Sequence, residues 1–208
     1  MKTLVRGRVC VGGGSGSAAQ KALAIAIRYG DQRRQFAAPN EEQEIVVLDY
    51  LAHQRKLLPR LAKSYALRFA QNAMTSRLQE LEDAAKSAEG GTPGPDHEDA
   101  QRELESWVAG MKAQTTWHAL DTIQACREAC GGAGYMAVNG LTQMRADVDV
   151  FATFEGDNTV LRQLAGKRIL EDHARALTGG GAASVGALVA SRARALLARG
   201  HAEALGLG

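Results

Sequence analysis

Aromatic residues make up only 5% of this 208-residue chain, prolines number four and cysteines three. An odd, small number of cysteines cannot build a disulfide framework, which points to a reducing compartment and away from a secreted, stapled scaffold. No uninterrupted apolar stretch approaches the ~20 residues that a membrane-spanning helix needs, so no membrane span is expected. The formal net charge of +2 gives no electrostatic reason to expect nucleic acid as a partner. Met1–Val11 is interrupted by Arg6 and Arg8 and lacks the apolar stretch of a secretory signal. With 45% hydrophobic residues the chain is not of the disordered class. Its length suits one ordinary domain or two small ones.

What is present is helical periodicity from end to end. Gly12-Gly13-Gly14-Ser15-Gly16 reads as a breaker cluster, after which Ser15 or Ser17 would cap a helix carrying Ala18, Ala19, Ala22, Leu23, Ala26 and Ile27. Asn40 to Gln43 reads as a capping box opening a long helix over Ile45, Leu48 and Leu51 to Phe69, with a kink or split expected at Pro59. Its polar end, Gln79 to Glu89, reads as solvated helix, and the run from Glu89 to Pro95 as a loop. A third helix is expected from about Glu98 to Cys130, stopped by Gly131-Gly132. Ala133–Ala152 has no stable period and is expected to be extended or irregular. A further helix runs from Phe154 onward, capped by Asp157, Asn158 or Thr159. Gly179–Ala183 reads as a hinge before a last helix capped by Ser184. With no alternating strand pattern, the expected class is all-α, an antiparallel bundle of long helices over residues 1–178, with 179–208 as hinge and terminal helix.

Several motifs have bland readings. Gly12–Gly16 has no preceding strand and no Lys-Ser/Thr ending, so a turn is favoured over a phosphate loop. Cys126 and Cys130 lie one helical turn apart, not in zinc spacing, and the five histidines are scattered, so no metal site is expected. Arg33-Arg34 is either a solvated pair at a helix end or a clamp for phosphate with Phe36 over the ligand. Gly131-Gly132-Ala133-Gly134-Tyr135 is a helix stop whose bare backbone lets a planar ligand or another chain come close. Glu155 lies among Val150, Phe151 and Phe154 and precedes Gly156. A carboxylate held among aromatics loses hydration and becomes a better proton acceptor. The other reading of Glu155 is a partner for the dipole of the helix that begins near Asp157.

In this order the residues resemble the C-terminal helical part of the acyl-CoA oxidases, in the acyl-CoA dehydrogenase superfamily. Cys126-Arg127-Glu128-Ala129-Cys130-Gly131-Gly132-Ala133-Gly134-Tyr135 and Thr153-Phe154-Glu155-Gly156-Asp157-Asn158-Thr159-Val160 carry the resemblance. Ala26-Ile27-Arg28-Tyr29-Gly30 through Arg33-Arg34-Gln35-Phe36, and Leu48-Asp49-Tyr50 with His53-Gln54, support it. The match covers most of Leu4 to Leu170.

The resemblance implies an FAD enzyme that oxidises acyl-CoA thioesters to trans-2-enoyl-CoA, with electrons passing to oxygen and giving hydrogen peroxide. Glu155 would take the α-proton while the flavin accepts the β-hydride, and the Glu155 amide would bond the thioester carbonyl. Gly156 would border the substrate. Arg33, Gln35 and Phe36 would reach FAD across a subunit interface, and Glu128 to Gly132, with Gly131 among them, would meet its adenine side. Asp157 and Thr159 would touch the cofactor from the helix start. Glu128 is the oxidase form of a position at which dehydrogenases usually carry Gln. Ala133 stands where oxidases commonly have His. The resemblance further implies a homodimer or higher oligomer, or a companion chain carrying the family's N-terminal helical and central β-domains. It leads us to expect that this chain alone binds FAD poorly and turns over nothing. A cytoplasmic location follows if the source is bacterial, a peroxisomal one if eukaryotic. The competing readings are a dehydrogenase that passes electrons to a flavoprotein, and a non-catalytic helical interaction module.

Overall fold

In the computed structural model, residues 2–37, 39, 42–87 and 95–179 are described. They form α1 (Lys2–Gln32), β1 (Arg34–Ala37), β2 (Glu44–Val46), α2 (Leu51–Ser87), α3 (Pro95–Ala129), α4 (Leu141–Asp149) and α5 (Asn158–Gly179). The all-α expectation holds, with one exception: a small antiparallel hairpin pairs Arg34 with Val46 and Ala37 with Glu44.

The three long helices run up, down and up. Val5 and Val9 of α1 meet Met74 of α2 and Leu104 and Val108 of α3 in one core cluster. Leu23 and Ala26 of α1 meet Leu57 of α2 and Ile123 and Cys126 of α3 in a second, joined by Leu141 and Val148 of α4. The early part of α1 therefore lies beside the late part of α2 and the early part of α3. Each fully buried Leu or Ile in these clusters contributes roughly 2 kcal/mol by removal from water. Ala109 and Ala113 of α3 hold Leu161 at the start of α5.

Several expectations need correction. Helix α1 runs through Gly12–Gly16 without a break. Ser15 and Ser17 donate to the carbonyls of Val11 and Gly13, one turn back, instead of capping. The glycines serve close approach: a Cβ at Gly12 would lie 3.3 Å from Oε1 of Gln71 on α2. Tertiary burial of Val9, Val11, Ala19 and Ala22 outweighs the ~1 kcal/mol that each helical glycine costs relative to alanine.

Helix α2 starts at Leu51, not at Asn40, and Ile45 belongs to β2. Asn40 and Glu41, and the loop residues 88–94, lie outside the described residues. Pro59, where a kink or split is expected, sits inside α2, which is not split there. Residues 133–152 are largely helical: short 3-10 turns at Gly131–Tyr135, Ala137–Asn139 and Val150–Ala152 flank α4. Phe154 precedes α5 instead of beginning it, and of the three cap candidates Asp157 is the one used. Its Oδ1 accepts from the N–H groups of Thr159 (2.8 Å) and Val160 (3.3 Å).

The chain divides into two compact units, residues 1–165 and 166–208. Within the second, the described part of α5 carries i,i+4 ion pairs such as Arg168–Asp172 at 3.0 Å. The expected hinge from Gly180 and the helix capped by Ser184 lie outside the described residues.

Candidate active site

The segment from Val150 to Asn158 is a tight turn linking α4 to α5. Thr153 and Phe154 donate their N–H groups to the Val150 carbonyl, and Gly156 donates to that of Thr153. Between them Glu155 has φ +59° and Gly156 φ +117°. Left-handed geometry costs a non-glycine residue about 1–2 kcal/mol, so the surroundings must enforce it.

Two side chains do so. Lys112 on α3 has no exposed surface, and its Nζ donates to the Gly156 carbonyl (2.7 Å), Asn158 Oδ1 (2.9 Å) and, more weakly, the Ala152 carbonyl (3.4 Å). Asn158, also buried, donates in turn to Thr116 Oγ1 at 2.9 Å. From α1, Arg8 Nε donates to the Glu155 carbonyl at 3.0 Å. Burial, and then the nearby Arg8 charge, push the Lys112 ammonium down, while Asp157 and Glu155 push it up.

The Glu155 carboxyl lies against Gly7 of α1, where an added Cβ would sit 2.5 Å from Oε1. Among the described residues its buried Oε2 has no hydrogen-bond partner and its N–H makes no hydrogen bond. A buried carboxylate oxygen and an uncommitted amide on one residue need an explanation, since such groups are normally paired. The expected aromatic enclosure is only partial, because Phe154 and Val150 are each 53% exposed. Gly156 does not open space beside Glu155. A Cβ there would lie 3.1 Å from Leu161 Cδ2, and its carbonyl is held by Lys112. Asp157 spends its carboxylate on the α5 cap, and exposed Thr159 stands at the first turn.

The remaining predicted residues gather elsewhere. Past α3, Gly131 takes φ +55°, and Cβ atoms at Gly131 and Gly132 would meet nothing within 4 Å. Gly134, by contrast, sits so close to the Arg127 carbonyl that a Cβ would collide with it. The Arg127 guanidinium lies 5.9 Å from the Tyr135 ring centre. Glu128 is exposed, accepts from Gln124 at 2.8 Å and pairs with Lys56 of α2 at 3.6 Å. The Gln124 hydrogen bond holds its carboxyl below the usual range, assisted by Lys56 and Arg127.

On the hairpin, Arg33 and Gln35 are exposed, and Phe36 is 69% exposed with φ +61°. Arg34 Nη1 turns back to the Glu44 carbonyl at 3.1 Å, and the Tyr50 hydroxyl donates to the Gln35 carbonyl at 2.8 Å. His53, near the start of α2, abuts Gly30 at the end of α1. Cys126 and Cys130 are buried, and burial pushes the Cys126 thiol up to about 12, so neither is a ready thiolate.

Glu155 and the hairpin thus touch opposite ends of α1. Gly7 and Gly30 are 23 positions apart on one helix, roughly 35 Å at ~1.5 Å per residue. The structure brings Glu155, Gly156, Asp157 and Thr159 together at one place. Arg33, Gln35, Phe36, Glu128, Gly131 and Gly132 stand towards the other end.

Comparison with known proteins identifies the family. The family model described as "Acyl-CoA oxidase, C-alpha1 domain" matches residues 1–170. The chain is 37% identical over 173 residues to the peroxisomal acyl-coenzyme A oxidase 3 of Arabidopsis thaliana, covering 83% of this chain and 23% of that protein. Among solved structures it resembles acyl-CoA oxidase 1 of Yarrowia lipolytica, with a TM-score of 0.78, 36% identity, and 85% and 26% of the two chains covered. Acyl-CoA oxidase-1 of Caenorhabditis elegans, solved with FAD and ATP, gives a TM-score of 0.76 at 26% identity, with 85% and 26% covered. The chain belongs to the acyl-CoA oxidase family as a C-alpha1 domain. It spans about a quarter of the length of the relatives it matches.

Sequence reasoning missed Lys112. A signal was there: Val108, Lys112, Ala119 and Ile123 fall on the buried stripe of α3, where a lysine needs internal acceptors.

Proposed function

We propose that this region is the catalytic-base module of an FAD-dependent acyl-CoA oxidase that makes the trans-2 double bond of enoyl-CoA and yields hydrogen peroxide. The observation that carries this reading is Glu155 itself: a left-handed residue with one buried, unpartnered carboxylate oxygen and an uncommitted amide. Its carboxylate takes the α-proton of the thioester, and its N–H bonds the thioester carbonyl as negative charge develops there. FAD, when bound, supplies the acceptor for the β-hydride and passes the electron pair to oxygen.

The residues present fit that cofactor. The open backbone at Gly131-Gly132 leaves room that a side chain would fill, and exposed Phe36 offers an aromatic face. Arg33, Gln35, Phe36, Glu128, Gly131 and Gly132 would hold it at one end of the bundle, with Thr159 and the Asp157-capped turn at the other. The separation of roughly 35 Å along α1 supports cofactor contacts shared between protomers, in a homodimer or larger assembly, or with a companion chain. The exposed apolar residues Leu58, Tyr65 and Phe69 of α2 support a second protein surface there. The relative named as peroxisomal supports a peroxisomal setting, and the comparisons lend the cytoplasmic one no support.

The test is Glu155→Gln in the complete enzyme. The rate of flavin reduction by a saturated acyl-CoA should fall by about 10³–10⁴-fold, with flavin content and thermal midpoint kept. A loss under tenfold would leave a helical interaction module as the better description. Hydrogen peroxide formed in proportion to enoyl-CoA distinguishes an oxidase from a dehydrogenase.

A further inference from the structure

The buried Lys112 has no place in the chemistry described so far. Its charge is withdrawn from water inside a helical bundle, which costs several kcal/mol unless hydrogen bonds compensate. The compensation comes from one source. All three acceptors of its ammonium, the carbonyls of Ala152 and Gly156 and Oδ1 of Asn158, lie in the turn that carries Glu155. The acceptors lie on both sides of Glu155 in sequence. Asn158 is itself braced by Thr116, whose hydroxyl donates to the Lys112 carbonyl at 2.9 Å, so the ring of contacts closes on α3. An apolar residue of the same length would fill the space and leave these acceptors without their donor.

We propose that Lys112 is a positioning residue for the base: its ammonium clamps the Ala152–Asn158 turn so that Glu155 keeps its left-handed backbone and its carboxylate stays aimed at the substrate carbon. This rests on the reading of Glu155 as the base. Lys112 touches no reacting atom. It acts by fixing the turn, and misplacement of a catalytic group by about 1 Å can cost roughly 100-fold in rate.

A double-mutant cycle in the complete, flavin-loaded enzyme tests this, reading the anaerobic rate of flavin reduction at saturating acyl-CoA. Lys112→Met should lower that rate about 10–100-fold with KM changed less than threefold. Amide hydrogen exchange across residues 152–158 should quicken at least tenfold. In a Glu155→Gln background the same substitution should cost less than threefold, because no base is left to aim. A merely structural role would instead cost the same in both backgrounds, and that result overturns the proposal. So does a Lys112→Met loss under threefold, or unchanged exchange in the turn. If Lys112→Met does not fold, Asn158→Ala removes one arm of the clamp. It should lower the rate about 3–10-fold in the native background only, and a native rate there also overturns the proposal. The two readings fail separately. A large Glu155→Gln loss beside an unaffected Lys112→Met removes the clamp and keeps the base, whereas a negligible Glu155→Gln loss removes both.

Discussion

The two ends of the bundle are built on opposite plans. At the Glu155 end a strained turn is held from two helices by charged donors, and the atoms left over are a buried carboxylate oxygen and an amide. At the hairpin end the backbone is open, Phe36, Arg33 and Glu128 face solvent, and the ion pairs are exposed. The first plan suits chemistry, which needs a group fixed before the substrate arrives. The second suits a surface completed by something else, with few internal contacts to give up on binding. The strained turn and the open region lie roughly 35 Å apart along α1.

The contrast predicts a ranking of effects. The largest falls on Glu155→Gln, described above. Next comes Gly7→Ala. Alanine favours the helix by about 1 kcal/mol, yet its Cβ would displace the Glu155 carboxyl. The rate of flavin reduction should fall about 10–100-fold while the thermal midpoint holds or rises, and a native rate would mean the carboxyl works from another position. At the open end the order reverses. Phe36→Ala should weaken FAD binding, measured by flavin titration of the apoenzyme, by about tenfold. At saturating FAD the rate should stay within twofold.

The helices themselves were legible because their apolar positions recur at helical spacing, and Gly131 was legible as a stop because only a left-handed residue closes α3 there. The hairpin was not. Its strands are four and three residues long, and β1 is exposed throughout, so no alternation marks them. Gly12–Gly16 misled because local propensity speaks for a break, whereas the packing of α1 on α2 and α3 decides the outcome. Glu155 was legible through its motif, but its contact with Gly7 was not, since the two lie 148 positions apart in sequence. Lys112 went unread because a lysine in a helical stretch is ordinarily solvated.

A separate effect, on stability, is set by pH. Ser64 Oγ lies 2.8 Å from Nε2 of His118 in the buried seam between α2 and α3, and burial pushes His118 down to about 4. The lowered value means the folded state prefers the neutral ring. Stability from this site is therefore complete above about pH 6.5 and is lost as pH falls towards 4, by up to roughly 3 kcal/mol. Denaturation midpoints at pH 7 and pH 4.5 should differ, and His118→Gln should flatten the difference. If the variant keeps the full slope, another group is responsible. The smallest effect belongs to the open end again: Lys56→Ala breaks the exposed pair with Glu128 and should change stability by less than about 0.5 kcal/mol.

Because α1 carries Gly7 under the Glu155 carboxyl and Gly30 beside the hairpin, it works as a ruler between the two regions. Exchanging one side chain for another along its middle leaves the graduation intact. Removing or adding a single residue between Arg8 and Tyr29 would advance one end by about 1.5 Å and turn it by about 100° relative to the other. Exposed positions of this helix are therefore free to vary, whereas its length is not.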